Sequence, residues 1–294
     1  MTQTFKLALM ILISILISSP RVDMGLVLNN KIDEASGIAS SRNNSDLLWV
    51  HNDSGDLARV YAIGSDGSDL GILRLPGEIA FDWEDMCIGP GPEEGVDYIY
   101  IGDIGNNFSR KNKSRIFRFK EPKIDFDSIS IPFDIKIRDV DKIIYSLPDE
   151  NRDSETLMID PITRDIHIIT KRESSPHIYT LSYPQSTSSD ILADFIGSIE
   201  ISPDKSYRMS DRIVSGDISR DGRMVIIKTL HQIFLIRKEP SSPFSSIISN
   251  PQLELKYVLE PQGEAVCWKW DQSGYFTISE ESENKPAHLY FYPM

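Results

Sequence analysis

The chain has 294 residues with 40% hydrophobic and 26% charged content, an ordinary globular balance that excludes a disordered or collagen-like polymer. Its 44 acidic against 31 basic side chains give a net charge of −13, which repels phosphate backbones and lacks the clustered cations of a nucleic-acid binder. Two cysteines are too few for a disulfide framework and are not spaced as a zinc site, so Cys87 and Cys267 are expected as buried free thiols.

At the N-terminus, MTQTFKLALMILISILISSP sets Lys6 ahead of an apolar run from Leu7 to Ile17 that ends in small residues, the layout of a secretory signal over residues 1–19. The run is shorter than the roughly 20 residues a membrane span needs. Export to the periplasm, the cell surface or the medium is the expectation. An uncleaved N-terminal anchor is the alternative, and the only membrane attachment the sequence offers.

Residues 24–294 read as a single all-β domain, because short runs of Ile, Val, Leu, Tyr and Phe recur between clusters of Asp, Asn, Gly, Ser and Pro. Five segments open acidic and turn apolar: DEASGIAS (33–40), WEDMCIGP (83–90), SETLMIDP (154–161), SGDISRDG (215–222) and GEAVCWKW (263–270). Each precedes a second strand (LLWVHND, YIYIGDI, DIHIITK, RMVIIKT, GYFTISE) and a third (RVYAI, RIFRF, HIYTL, QIFLI, HLYFY). LGILRL, KIIYSL, ADFIGSI and LELKYVL supply a fourth strand to four units, and MGLVLNN (24–30) is expected to complete the last. A strand order repeated five times predicts a five-bladed β-propeller sealed by its N-terminal strand, which also hides a sheet edge. The openings lie 50, 71, 62 and 47 residues apart; the long second unit holds FKEPKIDFDSISIPFDIKIRDVD (119–141), an added hairpin or else a merged blade that would make six. The turns GSDG (64–67) and SRDG (219–222) read as hairpin connections.

In a propeller the first strand of each blade lines the central channel, and the loops leading into it share a face with those leaving the second strand. That geometry makes Glu34, Glu84, Glu155, Asp217 and Glu264 a candidate metal-binding ring, with Asn52, Asp53, Asp103, Asn106, Lys171, Lys228 and Glu280 beside it as candidate ligand contacts. Carboxylates crowded in a low-dielectric funnel need protons, Lys171 and Lys228, or a bound cation. All-oxygen donors favour calcium over zinc. The plainer alternative is that each acid caps backbone N–H groups. HNDSGD (51–56) lacks the distal Glu of an EF-hand, and no nucleophile elbow, zinc-protease, phosphate-loop or dinucleotide motif is present. His51, Asp53 and Glu84 are weak candidates for proton transfer, with no nucleophile to serve.

EASGI, DWEDM, YIGDIGNN, RIFRFKEP, SETLMIDP, GDIS and GEAV together resemble a group of largely uncharacterised bacterial exported β-propeller proteins, a resemblance that covers nearly the whole chain after the leader. It implies the fold and no particular activity. More distantly, the acids at the inner strands are similar to those of propeller hydrolases with a central calcium: the gluconolactonase and paraoxonase group, phytase-like propellers and calcium-activated nucleotidases. Carried to this chain, that likeness nominates Glu34, Glu84, Glu155 and Glu264 as metal-facing, while Asp217, Lys171 and Lys228 depart from it. The expected function is binding of a small ligand or protein partner at the funnel with a structural calcium. The alternatives are a calcium-dependent hydrolase of an ester, lactone or phosphoester, and a protein-docking scaffold.

Overall fold

The computed structural model describes residues 20–107, 111–201, 212–250, 252–281 and 286–294. The segment read as a signal or anchor, 1–19, lies outside them. The five second strands are apolar along most of their length because neighbouring blades cover both faces, which leaves no solvent side for alternation to mark. LLWVHN and IHIIT, for example, are buried at every position.

Strand β1 (Val22–Leu26) precedes the first blade, which is built from β2 (Ala35–Ser40), β3 (Leu47–Asn52), β4 (Arg59–Gly64) and β5 (Asp69–Arg74). Blade two comprises β6 (Trp83–Pro90), β7 (Asp97–Asp103), β8 (Ser114–Lys120) and, beyond the short β9 (Phe133–Lys136), β10 (Asp141–Ser146). Blade three holds β11 (Ser154–Ile159), β12 (Ile166–Thr170), β13 (His177–Leu181) and, after the two-residue β14 (Ile191–Leu192), β15 (Asp194–Ser198). Blade four holds β16 (Ile213–Ile218), β17 (Met224–Thr229), β18 (Ile233–Arg237) and β19 (Gln252–Leu255). Blade five holds β20 (Gly263–Trp268), β21 (Gly274–Ser279) and β22 (His288–Pro293), and β1 pairs antiparallel with β22 as its fourth strand. The chain is therefore an all-β, five-bladed propeller closed by its N-terminal strand. Pairing begins at Val22, two residues earlier than expected.

The insertion 119–141 forms neither a hairpin nor a sixth blade. Its β9 leaves blade two and pairs parallel with β5, capping the outer edge of blade one, and Arg74 holds Asp134 at 2.8 Å across that pair. β14 covers the edge of β10 in blade two in the same way. Five hydrophobic clusters fill the five seams between blades; the seam of blades one and two, with Trp49, Trp83, Phe117 and Phe119, is the most aromatic. Cys87 and Cys267 are buried free thiols in two of those seams.

The inner strands are tied to one another by side chains. Ser36 Oγ donates to the Glu84 carbonyl, Asp85 accepts from the Leu157 N–H at 3.0 Å and from Ser215 Oγ at 3.1 Å, and Asp217 accepts from the Trp268 N–H at 2.8 Å. This belt satisfies backbone groups that no sheet ladder reaches.

Candidate functional site

Every inner strand carries a β-bulge at its start, and the bulged residue is Ser36, Glu84, Glu155, Val214 or Glu264 in blades one to five. A bulge leaves one residue out of the ladder and re-aims its side chain, here toward the axis. Two residues earlier stand Glu34, Asp82, Asp153, Arg212 and Gln262. In four blades that earlier residue's carbonyl accepts a backbone N–H from the chain leaving the second strand: Asp53 to Glu34, Gly105 to Asp82, Lys171 to Asp153 and Glu280 to Gln262. One three-position frame thus recurs in blades one, two, three and five.

The frame lines a cavity of about 210 Å³ whose wall is Glu34, Asp53, Glu84, Asn107, Glu155, Lys171, Gln262, Glu264 and Glu280. Four of the five ring acids meet there. Asp217 does not: blade four puts Val214 at the bulge, and Asp217, three residues on, lies near the opposite end of the channel beside Arg42, Arg220 and Trp270. Burial raises its pKa to about 6, against the N–H groups of Trp268 and Ile218 and nearby Arg42.

Several expected contacts serve the scaffold instead. His51 is fully buried between blades, edge-on to Trp83 at 5.5 Å, occupying the space a side chain at Gly37 would need; burial lowers its pKa to about 4, so it is no base at the mouth. Asn52 turns outward to the Lys31 carbonyl (2.7 Å) and Asp33. Asp103 is consumed by Arg115 at 2.6 Å, and Asn106 holds its own loop through the backbone of Lys111. Lys228 is sealed beneath blades four and five, donating to the Thr229 carbonyl and the Tyr257 hydroxyl at 3.0 Å each, with its pKa lowered by burial to about 8. Of the expected ligand contacts, Asp53, Lys171 and Glu280 line the cavity.

Sequence reasoning missed Asp153 and Asn107 and gave Asp82 no role. Oxygen atoms of Asp53, Asp82 and Glu84 lie within 4.8 Å of one another, as do those of Glu84, Asp153 and Glu155, so Glu84 belongs to two carboxylate triads. The available signal was the repeated D-x-E of DWE (82–84) and DSE (153–155), echoed by QGE (262–264). Gly105 makes room for this arrangement: a Cβ there would stand 2.0 Å from Glu84 Oε1 and 2.6 Å from the Asp82 carboxyl.

Burial, with Glu155 and Asp53 nearby, pushes the Glu84 pKa well up; burial also raises Glu155, against the pull of Lys171 2.7 Å away. The two buried carboxyls cannot both carry full charge without a counter-cation. Burial raises Asp53 to about 6 and, with Glu264, Asp53 and Glu34 adding, raises Glu280 to about 8. Burial opposes the charge on Lys171, but Glu155, Glu264 and Glu84 outweigh it and its pKa is raised. Glu155 Oε2 is buried and meets no hydrogen-bond donor among the described residues. Asp153 is engaged by the Asn106 N–H and by Arg172, each at 2.6 Å, and Asp82 faces Lys111 at 3.6 Å.

No protein-family profile and no curated protein matches the chain. Among solved structures it is similar to the PQQ-bound aldose sugar dehydrogenase of Streptomyces coelicolor, at 9% identity over 92% of this chain and 98% of that one, with a TM-score of 0.48. It is also similar to a luciferin-regenerating enzyme, at 10% identity over 92% and 95% with a TM-score of 0.47, and to the hydrazine synthase of Kuenenia stuttgartiensis, at 9% over 87% and 82% with a TM-score of 0.43.

Proposed function

We propose that this chain is an exported binding propeller whose funnel holds a divalent cation, calcium, among Asp53, Asp82, Glu84, Asp153 and Glu155. The observation that carries the reading is the pair of oxygen triads sharing Glu84, with a buried Glu155 oxygen that no donor among the described residues serves. Hard oxygen donors packed this closely suit calcium, whose ligands stand about 2.3–2.6 Å away, and offer nothing soft for zinc or copper. The apolar N-terminal run of residues 7–17 and the resemblance to exported bacterial propellers support the location.

Every side chain on the cavity wall is polar or charged. Such a wall gives no seat to the apolar body of an ester or lactone, so the chemistry favours ligand binding over hydrolysis.

Metal analysis of the purified protein, together with a calcium titration of its melting temperature, tests the reading. Calcium at 100 times its dissociation constant stabilises the fold by about 2.7 kcal/mol. The melting temperature should therefore climb by several degrees in the wild type and stay fixed in Glu84→Gln. Wild-type protein that retains no metal and melts identically with calcium or chelator would end the proposal.

A further inference from the structure

Lys171 is the one basic side chain on the funnel wall among the described residues. Its backbone N–H donates to the Asp153 carbonyl at 3.0 Å, the frame bond that Asp53, Gly105 and Glu280 make in blades one, two and five. Two acids and a glycine hold that position in the other blades, so the frame itself does not call for a cation there. What the side chain meets does. Lys171 is 15% exposed and runs in to the second triad, its Nζ 2.7 Å from Glu155 Oε1. Glu155 is 1% exposed, and no donor among the described residues reaches its Oε2. An unserved carboxylate oxygen at this depth is costly unless a further positive group enters to meet it. The other two cations near the triads stand off the wall: Arg172 on Asp153 at 2.6 Å and Lys111 on Asp82 at 3.6 Å.

This rests on the reading of the funnel as a divalent-cation site, and goes on to name what sets its affinity and its choice of ion. We propose that Lys171 is a built-in competitor for that site, a tethered ammonium that a divalent ion can overcome and a monovalent ion cannot. Two charges against one at about 6 Å weaken binding about tenfold even at the dielectric constant of water, and by more in a buried site. Being part of the chain, the ammonium is also present at an effective concentration on the order of millimolar or above. Sodium and potassium bring the same single charge as the ammonium, so exchanging with it gains them no Coulomb energy; calcium brings twice that charge. The lysine thus holds the site toward the weak end of calcium affinities, the range of about 10⁻⁴–10⁻³ M typical of extracellular modules. Occupancy then follows the calcium concentration outside the cell.

Calorimetric titration of the full chain with calcium, in wild type and in Lys171 variants, tests this. Lys171→Met should bind calcium at least tenfold more tightly than wild type, and Lys171→Gln, which keeps a donor for Glu155 without the charge, should do the same. Lys171→Arg keeps the charge and should stay within about threefold of wild type. In chelator Lys171→Met should melt below wild type, because Glu84 and Glu155 lose their counter-charge. Sodium chloride should raise the melting temperature of that variant above its value in tetramethylammonium chloride of equal ionic strength, a difference wild type should not show. Equal or weaker calcium binding in Lys171→Met and Lys171→Gln, or equal tightening in Lys171→Arg, overturns the proposal and leaves the calcium reading standing. A wild type that ignores calcium beside neutral variants that bind it removes the calcium reading of the natural chain and leaves this one. Indifference of every variant to every cation overturns both.

Discussion

The stretch FDWEDM gives three acids three different tasks. Asp82 and Glu84 point at the funnel, separated by a tryptophan that fills the seam of blades one and two, while Asp85 turns along the channel to accept hydrogen bonds from Leu157 and Ser215. The first two fit only because residue 105 has no side chain. Gly105→Ala must displace the Glu84 or Asp82 carboxylate, a crowding that should cost about 1–3 kcal/mol in urea unfolding and weaken calcium binding together. Glu84→Gln should show opposite signs under two conditions. Without metal at pH 8 it relieves repulsion from Glu155 and Asp53, stabilising the protein by on the order of 1 kcal/mol. With calcium it should be the less stable protein, and chemical denaturation in chelator and in calcium checks both signs.

The unit that sets these directions is the inner strand with its bulge. Because side chains alternate, one extra residue reverses which of them face the axis. Strand order, the closing role of the N-terminal strand and the acidic openings were legible, since each follows from apolar runs and their punctuation. The bulge was not, and it makes Ser36 rather than Glu34 the counterpart of Glu84 and leaves Asp217 outside the ring. Nor could pattern foresee that β9 crosses to blade one, a pairing between segments far apart in the chain, or that Arg115, opposite Asp103 on the next strand, turns to claim its carboxylate. Away from the funnel, His167 on β12 stacks against Phe244 with ring centroids 3.7 Å apart, hydrogen-bonds Thr180 at 2.9 Å, and lies near Asp160 and Lys238. Burial lowers its pKa to about 3, opposed by Asp160 and aided by Lys238. Between that value and the ordinary 6.5 the unfolded chain binds the additional proton, so stability falls as pH falls through this window. From pH 6.5 to 5 the His167 share of the loss is on the order of 2 kcal/mol. His167→Phe should flatten that slope while lowering the neutral-pH plateau by leaving Thr180 unpaired, measured as unfolding free energy against pH for both proteins.

A ring of five blades is only as closed as its weakest seam, and in this chain that seam is the one between its two ends. Blade five takes three strands from the C-terminal segment and one from the N-terminal, with Val22 opposite Phe291 and Leu26 opposite His288. β1 itself is largely exposed, so it contributes main-chain pairing more than burial; His288 against Asp23 at 2.6 Å and Arg21 over Tyr290 at 3.9 Å add local ties. At about 1 kcal/mol net per hydrogen bond, the four paired positions are worth on the order of 4 kcal/mol before chain entropy is counted. Deleting residues 20–26 should therefore lower the melting temperature by many degrees. It should also uncover β22, whose free edge can pair with a second copy, so the shortened protein should dimerise or aggregate with rising concentration in size-exclusion chromatography. The truncated chain should still gain melting temperature from calcium, because the triads of blades one to three lie on strands that remain joined by continuous chain.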